Sequence, residues 1–396
     1  MYRYDEVMTY CEEEDVQFIR LAFCDLMGNQ KNIAIMPAEL ERAFRYGISF
    51  DASAVPGFGD EVKSDLFLFP DPSTLSVLPW RPAQGRVVRM FCDIKHPDGT
   101  PFRRDSRQLL KKAVEAAEKM GVSCSFGVEA EFYLFQCGED GGPTRTPFDQ
   151  AGYMDIAPED KGENIRREIC LTLRDMGIRP ESSHHEEGPG QNEIDFRYSD
   201  ALTAADNALT FKAVVKTLAM QNGLFASFSP KPLPRQSGNG MHINISIKSP
   251  GGREDTDAFM AGVLRRAREM TAFLNPTEES YLRLGERKAP KYVTWSSENR
   301  SQLIRIPAAK GEYVRFELRS PDPEANPYIA FALLIYAGLD GIRNRVPLPA
   351  PVDANLFTAD AAVTDALETL PATLEEAKDL ARKSAFIREY LPEILN

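Results

Sequence analysis

Four short stretches of this chain alternate strictly between apolar and polar residues, and each carries charge on its polar face. In Ser123 to Phe135 the even positions are Cys124, Phe126, Val128, Ala130, Phe132 and Leu134, whereas the odd positions include Glu129 and Glu131. In Gln191 to Tyr198 the odd face reads Gln191, Glu193, Asp195 and Arg197, backed by Ile194 and Phe196. Met241 to Lys248 sets His242, Asn244 and Ser246 against Met241, Ile243, Ile245 and Ile247. Tyr313 to Arg319 sets Arg315, Glu317 and Arg319 against Val314, Phe316 and Leu318. Successive side chains of a strand point to opposite faces, so each run buries one face and presents the other. Antiparallel sheet with one solvated face produces that pattern.

Helices complete the layer. Asp257 to Met270 carries an apolar stripe of Phe259, Met260, Val263, Leu264 and Ala267, and Asn326-Pro327 starts another helix with Asn as cap and Pro at the first helical position. Asp105 to Met120 reads as a helix capped by Asp105. Before it the pattern differs: Val16 to Cys24 alternates loosely, Gly28-Asn29 turns into Asn32 to Met36, and Pro56, Pro70, Pro72, Pro79 and Pro82 punctuate the rest. The expectation is an α+β chain of two domains. Residues 1–100 form a small sheet-rich unit, and residues 101–396 a curved antiparallel sheet with helices behind and its polar face open.

Charge excludes some functions. With 59 acidic and 47 basic residues the net charge is −12, and no Lys/Arg run interrupts it, so a nucleic-acid partner is not expected. Six scattered cysteines without a C-x-x-C pair give neither a disulfide framework nor a thiolate zinc site. The N-terminus lacks an apolar signal core, and the longest apolar stretch, Ile329 to Leu339, falls short of the ~20 residues that span a bilayer. No membrane partner and a cytoplasmic location are expected.

The polar faces carry the chemistry. Such faces often do no more than meet solvent, and a single Glu-x-Glu is a weak signal. Here, however, Glu129 and Glu131 share a face at a spacing of roughly 7 Å, a repulsive arrangement unless a cation sits between them. Of only four histidines, His184, His185 and His242 lie within or beside these segments, and His242 follows Gly238-Asn239-Gly240, where backbone can approach a ligand. Carboxylate-rich ligation without thiolate favours Mg²⁺ or Mn²⁺, two of which suit phosphoryl transfer. Arg283, Arg300, Arg305, Arg315 and Arg319 supply forks for phosphate or carboxylate, and the nucleotide site lacks a Walker glycine loop.

These residues match a known pattern. Gly127-Val-Glu-Ala-Glu-Phe132, His185-Glu-Glu-Gly-Pro-Gly-Gln-Asn-Glu193, Lys231-Pro232 with Gly238-Asn-Gly-Met-His242, Asn299-Arg-Ser301 with Ile304-Arg-Ile-Pro307, and Arg315-Phe-Glu-Leu-Arg-Ser-Pro-Asp-Pro-Glu-Ala-Asn-Pro-Tyr328 follow one another. Over essentially its whole length the chain resembles the glutamine synthetase family, bacterial type I. The resemblance implies an N-terminal β-grasp domain and a ligase that uses ATP to activate L-glutamate as γ-glutamyl phosphate, which an amine then captures. It implies one metal on Glu131, Glu186 and Glu193 and another on Glu129, His242 and Glu317. Arg283 and Arg319 would clamp the glutamate carboxylate, with the Gly238 backbone near its amino group. Arg300 and Arg305 would stabilise the phosphoryl group. Ser246, Arg315, Glu181 and Tyr198 would meet the nucleotide, and Tyr153 would cover the ammonium pocket. Asp51, in Phe50-Asp-Ala-Ser-Ala-Val-Pro-Gly57, would serve a neighbouring subunit's site within a hexameric ring or double ring.

The sequence also departs from that family. Its flap carries a glutamate, before an Ala-Pro pair, that takes the acceptor's proton. Here Arg283-Leu-Gly-Glu-Arg-Lys-Ala-Pro290 is one residue shorter and puts Lys288 in that place, with Glu286 as another carboxylate within the loop. Ser237 and Glu279 stand where asparagines are usual, Phe357 replaces the modifiable tyrosine, and only nine residues follow Ile387, less than a ring-locking tail. The acceptor, ammonia or an organic amine, is therefore left open. A non-catalytic nucleotide-binding assembly is the alternative; a guanidino kinase lacks support because the Asp51 segment is present.

Overall fold

The computed structural model describes residues 3–59, 62, 64–80 and 85–394; Pro82, one of the expected breaks, lies outside them. The first unit runs α1 (Tyr4–Glu13), β1 (Val16–Cys24), β2 (Gln30–Ile35), α2 (Leu40–Tyr46), β3 (Ile48–Asp51), β4 (Asp65–Pro70), β5 (Ser76–Val77) and β6 (Arg86–Lys95). Its sheet has the order β2-β1-β6-β4-β3, with β5 on β6 and a parallel pairing of β1 with β6. Alternation along β1 and β6 gives the sheet two apolar faces. Ile19, Leu21, Phe23, Val88, Met90 and Ile94 close the small core, while Ala22, Cys24 and Phe91 join the larger core of the rest of the chain.

That second unit begins with α3 (Ser106–Lys119), whose cap Asp105 accepts from the Arg107 amide. Then follow β7 (Ser123–Cys137), β8 (Pro143–Pro147), α4 (Glu163–Asp175), β9 (Pro180–His185), β10 (Gln191–Phe196), β11 (Ser199–Asp200), α5 (Ala201–Gln221), β12 (Leu224–Ser227) and β13 (Met241–Lys248). The remainder comprises α6 (Arg253–Leu274), α7 (Glu278–Arg283), β14 (Trp295–Ser297), β15 (Ile304–Ile306), β16 (Phe316–Leu318), α8 (Pro327–Arg343), α9 (Ala361–Thr364), α10 (Leu374–Lys383) and α11 (Ala385–Tyr390). The sheet order is β14-β15-β16-β13-β7-β10-β9, with β8, β11 and β12 also on β7. Phe126, Val128, Ala130, Phe132 and Leu134 of β7 are buried as the alternation requires, with α5 and α3 packed against the strand. Phe126 stacks on Phe331 of α8 with ring centroids 4.4 Å apart. Helix α8 is apolar on nearly every side, which suits a helix enclosed by protein.

Two expectations need correcting. Only Phe316–Leu318 of the run from Tyr313 is strand; Gly311–Tyr313 forms a 3-10 turn, begun by Gly311 at a φ of +61°, and Val314 is exposed rather than backing the sheet. The edge pair β14–β15 is parallel, within a sheet whose other pairings are antiparallel among the described strands. Elsewhere the α+β architecture, with its polar sheet face open, is as the alternation anticipates.

Candidate active site

Strand register assembles the site. Glu131 of β7 faces Glu193 of β10, while Glu129 lies between Asp195 of β10 and His242 of β13. Across the next pairings, Glu317 of β16 lies opposite Asn244 and Arg305. Like charges directly opposite one another destabilise a sheet by themselves. Two groups of three that share no residue result, with the ligand atoms of each group within 4.8 Å of one another: Glu131, Glu186, Glu193, and Glu129, His242, Glu317; His184 and Asp195 lie equally close to Glu193. His242 Nδ1 lies 3.5 Å from an oxygen of Glu129 and of Glu317.

The two groups differ electrically. Glu317 is buried and held by Arg305 at 2.7 Å and by Arg319. Burial pushes the Glu129 carboxyl up, but His242, Asn244 and Arg315 outweigh it and bring it down to about 2. His242 is itself held low, by burial and then by Arg319. Among the described residues the other group has no arginine paired to it, only His184 at 3.8 Å from Glu186 and 3.6 Å from Glu193. Burial and the charge of Glu186 push Glu131 up to about 8. Burial and four neighbouring carboxylates raise Glu193 well above the ordinary range, and burial raises Glu186. Three carboxylates that resist ionising together form a donor set suited to a hard divalent cation, so the residues fit such an ion. Glu131 is aimed by the Gly240 amide at 2.9 Å and by Gln191 at 3.1 Å.

Five of these six residues, Glu129, Glu131, Glu186, Glu193 and His242, line one cavity of about 410 Å³, and Glu317 is buried behind them. Arg283, Arg300, Arg305, Arg315 and Arg319 all line it. Arg283 is pinned by the Ser320 carbonyl at 2.8 Å and the Arg319 carbonyl, and Arg319 donates to the Arg300 carbonyl. Gly238 also lines the cavity, and no larger residue fits there: a Cβ would sit 2.4 Å from the Pro230 carbonyl oxygen. Glu181, Tyr198, Ser246 and Arg315 line an adjoining recess of about 140 Å³, which shares Glu129, Asp195 and Arg315 with the main cavity.

The flap closes the other side. Gly285 N–H donates to Ala289 at 3.1 Å, Ala289 N–H to Glu286 at 3.0 Å, and Gly285 and Arg287 take φ of +83° and +50°. This turn places Glu286 and Lys288 on the cavity. Lys288 pairs with neither ligand group; it pairs with Glu187 at 2.7 Å and lies 4.9 Å from the Tyr153 ring centre. Asp51 does not line its own chain's cavity; it is exposed and caps a turn at Ser53.

His184, Glu187, Asp195 and Arg287 line the cavity without a role assigned to them from the sequence. Asp195 shares the polar face of Glu193, so alternation carries the signal. Glu187 follows β9 in a turn and has no periodicity to mark it. Asp149, Asp160 and His185 also converge, but His185 is bonded to Asp149 and Arg166 to Asp160 in an internal network.

Two family models match: "Glutamine synthetase, beta-Grasp domain" over residues 15–97 and "Glutamine synthetase, catalytic domain" over residues 103–395. Glutamine synthetase of Methanosarcina mazei is 45% identical over 404 residues, covering 98% of this chain and 90% of that one. The Staphylococcus aureus enzyme is 43% identical over 403 residues, with 98% and 90% covered. A solved GmaS–ADP complex superposes with a TM-score of 0.88 at 30% identity, covering 97% of this chain and 91% of the other. Plasmodium falciparum glutamine synthetase, at 24% identity and a TM-score of 0.87, shares the fold. No helix among the described residues is long and apolar enough to cross a membrane. With both units matched, the chain belongs to the glutamine synthetase family, ATP-dependent glutamate ligases that use divalent metal and form a C–N bond.

Proposed function

We propose that the chain joins the γ-carboxylate of L-glutamate to an amine, ammonia or an organic amine, through γ-glutamyl phosphate. The observation that carries this is the cavity in which two three-ligand groups and five arginines converge beside a second recess. Glu131, Glu186 and Glu193 would hold one divalent cation and Glu129, His242 and Glu317 the other, Mg²⁺ or Mn²⁺ by their oxygen-rich donors. Bound there, such ions neutralise phosphate charge.

The chain's own groups do the positioning. Arg283 and Arg319, buried at the cavity wall, clamp the glutamate carboxylate, and the Gly238 backbone lies near its amino group. Glu181, Tyr198, Ser246 and Arg315 hold the nucleotide so that the γ-carboxylate oxygen attacks the γ-phosphorus and ADP leaves. Arg300 and Arg305 stabilise charge on the transferring phosphoryl group. An amine then forms the C–N bond, expelling phosphate and giving up a proton. Tyr153 closes the acceptor side. With Lys288 turned to Glu187, the proton acceptor is assigned to a carboxylate of that wall, Glu286 or Glu187, rather than to Lys288 as a free amine. We place the domain boundary near residue 100 and Asp51 in a neighbouring subunit's site within a ring.

Phosphate release from ATP and glutamate with Mg²⁺ or Mn²⁺, measured across ammonium, methylamine, ethanolamine and larger amines, tests the reading. Amine-dependent turnover is expected. Nucleotide binding without turnover for any amine would overturn it in favour of a non-catalytic assembly, a reading that the two intact ligand groups do not favour.

A further inference from the structure

The acceptor wall holds a cation of the protein's own. Lys288 Nζ sits 2.7 Å from Glu187 Oε1, and 4.9 Å from the centre of the Tyr153 ring. A carboxylate beside an aromatic face is what binds a primary ammonium ion. The receiving carboxylate is held from its other side as well, since Glu187 Oε2 accepts from Ser237 Oγ at 3.1 Å. Ser237 is fixed in turn, its carbonyl accepting from Tyr133 at 2.6 Å. The wall is thus a formed ammonium subsite, and the flap turn delivers a lysine into it.

Resting on the ligase reading above, we propose that Lys288 is a specificity-determining residue that occupies the acceptor's ammonium subsite and selects for amines carrying an anionic group. Any cationic acceptor must take Glu187 from Lys288. Ammonium or methylammonium does so at a loss, because the displaced lysine is left without a partner beside the incoming positive charge. An acceptor with its own carboxylate exchanges both ends: its ammonium takes Glu187 and Tyr153, and its anion takes Lys288. Arg287, next in the chain and also on the cavity, adds positive charge on that side. Half of the Lys288 side chain is exposed, so it can swing from Glu187 toward such an anion without disturbing the core.

The test measures binding of methylammonium and of β-alanine by ligand-observed NMR, with Mg²⁺, ADP and saturating L-glutamate present. Wild-type protein is expected to bind β-alanine at least tenfold more tightly than methylammonium. Lys288→Met is expected to invert that order by freeing Glu187 for the simple cation and removing the anion's partner. Adding Glu187→Gln to Lys288→Met is expected to abolish the gained methylammonium binding, which a merely structural role for Lys288 would not predict. Equal affinities in wild type and Lys288→Met, or no detectable binding of either amine by both, overturn the proposal. The ligase reading stands or falls separately, on phosphate release in the presence of ATP and glutamate.

Discussion

Two glycines beside Arg283 show how strictly the cavity wall is packed, and they differ in what opposes a side chain. At Gly238 an added Cβ would meet the Pro230 carbonyl oxygen at 2.4 Å, a backbone atom that cannot step aside. At Gly240 it would meet an Arg283 guanidinium nitrogen at 2.7 Å and His242 Nε2 at 3.0 Å, both ends of side chains. Gly240→Ala is therefore expected to fold and to raise the KM for glutamate at least tenfold by displacing Arg283. Gly238→Ala is expected to cost about 1–3 kcal/mol of stability as well. Steady-state kinetics and urea unfolding of the two variants separate these outcomes. The carboxylate triad makes an opposite kind of prediction. Glu193 is crowded by Glu131, Glu129, Glu186 and Asp195, so Glu193→Gln removes repulsion as well as a ligand. In chelator the variant is expected to melt roughly 1–4 °C above wild type. Adding Mn²⁺ should reverse the order, because only the wild type gains a full ligand set. Paired thermal scans check both signs.

At the scale of elements, helix α8 ties the site-bearing sheet to the first unit through its cap. Asn326 accepts from the amides of Tyr328 and Ile329, and donates to the carbonyl oxygens of Asp25 and Leu26 in the β1–β2 turn. Asn326→Ala removes the cap and the tie together, and is expected to lower unfolding stability by about 2–3 kcal/mol in urea titrations. The Asn-Pro pair made this helix start readable from sequence, as the alternation made β7, β10 and β13 readable. Alternation failed before Phe316, where Gly311 opens a 3-10 turn and Val314 stays exposed. A period of two in sequence records which face is apolar, not whether a partner strand lies alongside. The same limit applied to the site. The candidate ligands on strand faces were legible because register follows from burial, whereas the Lys288–Glu187 contact joins a flap to a turn across 101 residues and leaves no periodic trace. Glu286 and Glu187 line the same cavity, and which of them Lys288 meets depends on loop geometry that spacing does not encode.

Across the whole molecule, the first unit is locked to the second by buried charge and still offers a residue that its own cavity does not receive. Arg107, buried at the start of α3, forms a bidentate pair with Asp206 of α5 and reaches Asp71 and Asp93 of the first unit. Tyr328 of α8 donates to the same Asp206 at 2.5 Å. Removing one partner from such a buried cluster leaves charges uncompensated, so Arg107→Met is expected to cost about 3–5 kcal/mol. Asp51 is oriented otherwise. It sits exposed at the end of β3 and is absent from the wall formed by its own chain's arginines and carboxylates. If a neighbouring chain's site uses it, each active site is built from one chain's Asp51 and another chain's metal ligands, and two inactive variants can repair each other. Asp51→Asn and Glu131→Gln homomers are each expected to be inactive. Assembled together in equal amounts, they should recover about a quarter of wild-type activity, because about a quarter of random neighbour pairs combine an intact Asp51 with an intact Glu131. Were Asp51 to act within its own chain, every subunit would carry one lesion in its own site, and the mixture would stay as inactive as its parts. Differently tagged subunits, co-assembled and purified on both tags, make the comparison direct, since recovered turnover can then arise only where two chains meet.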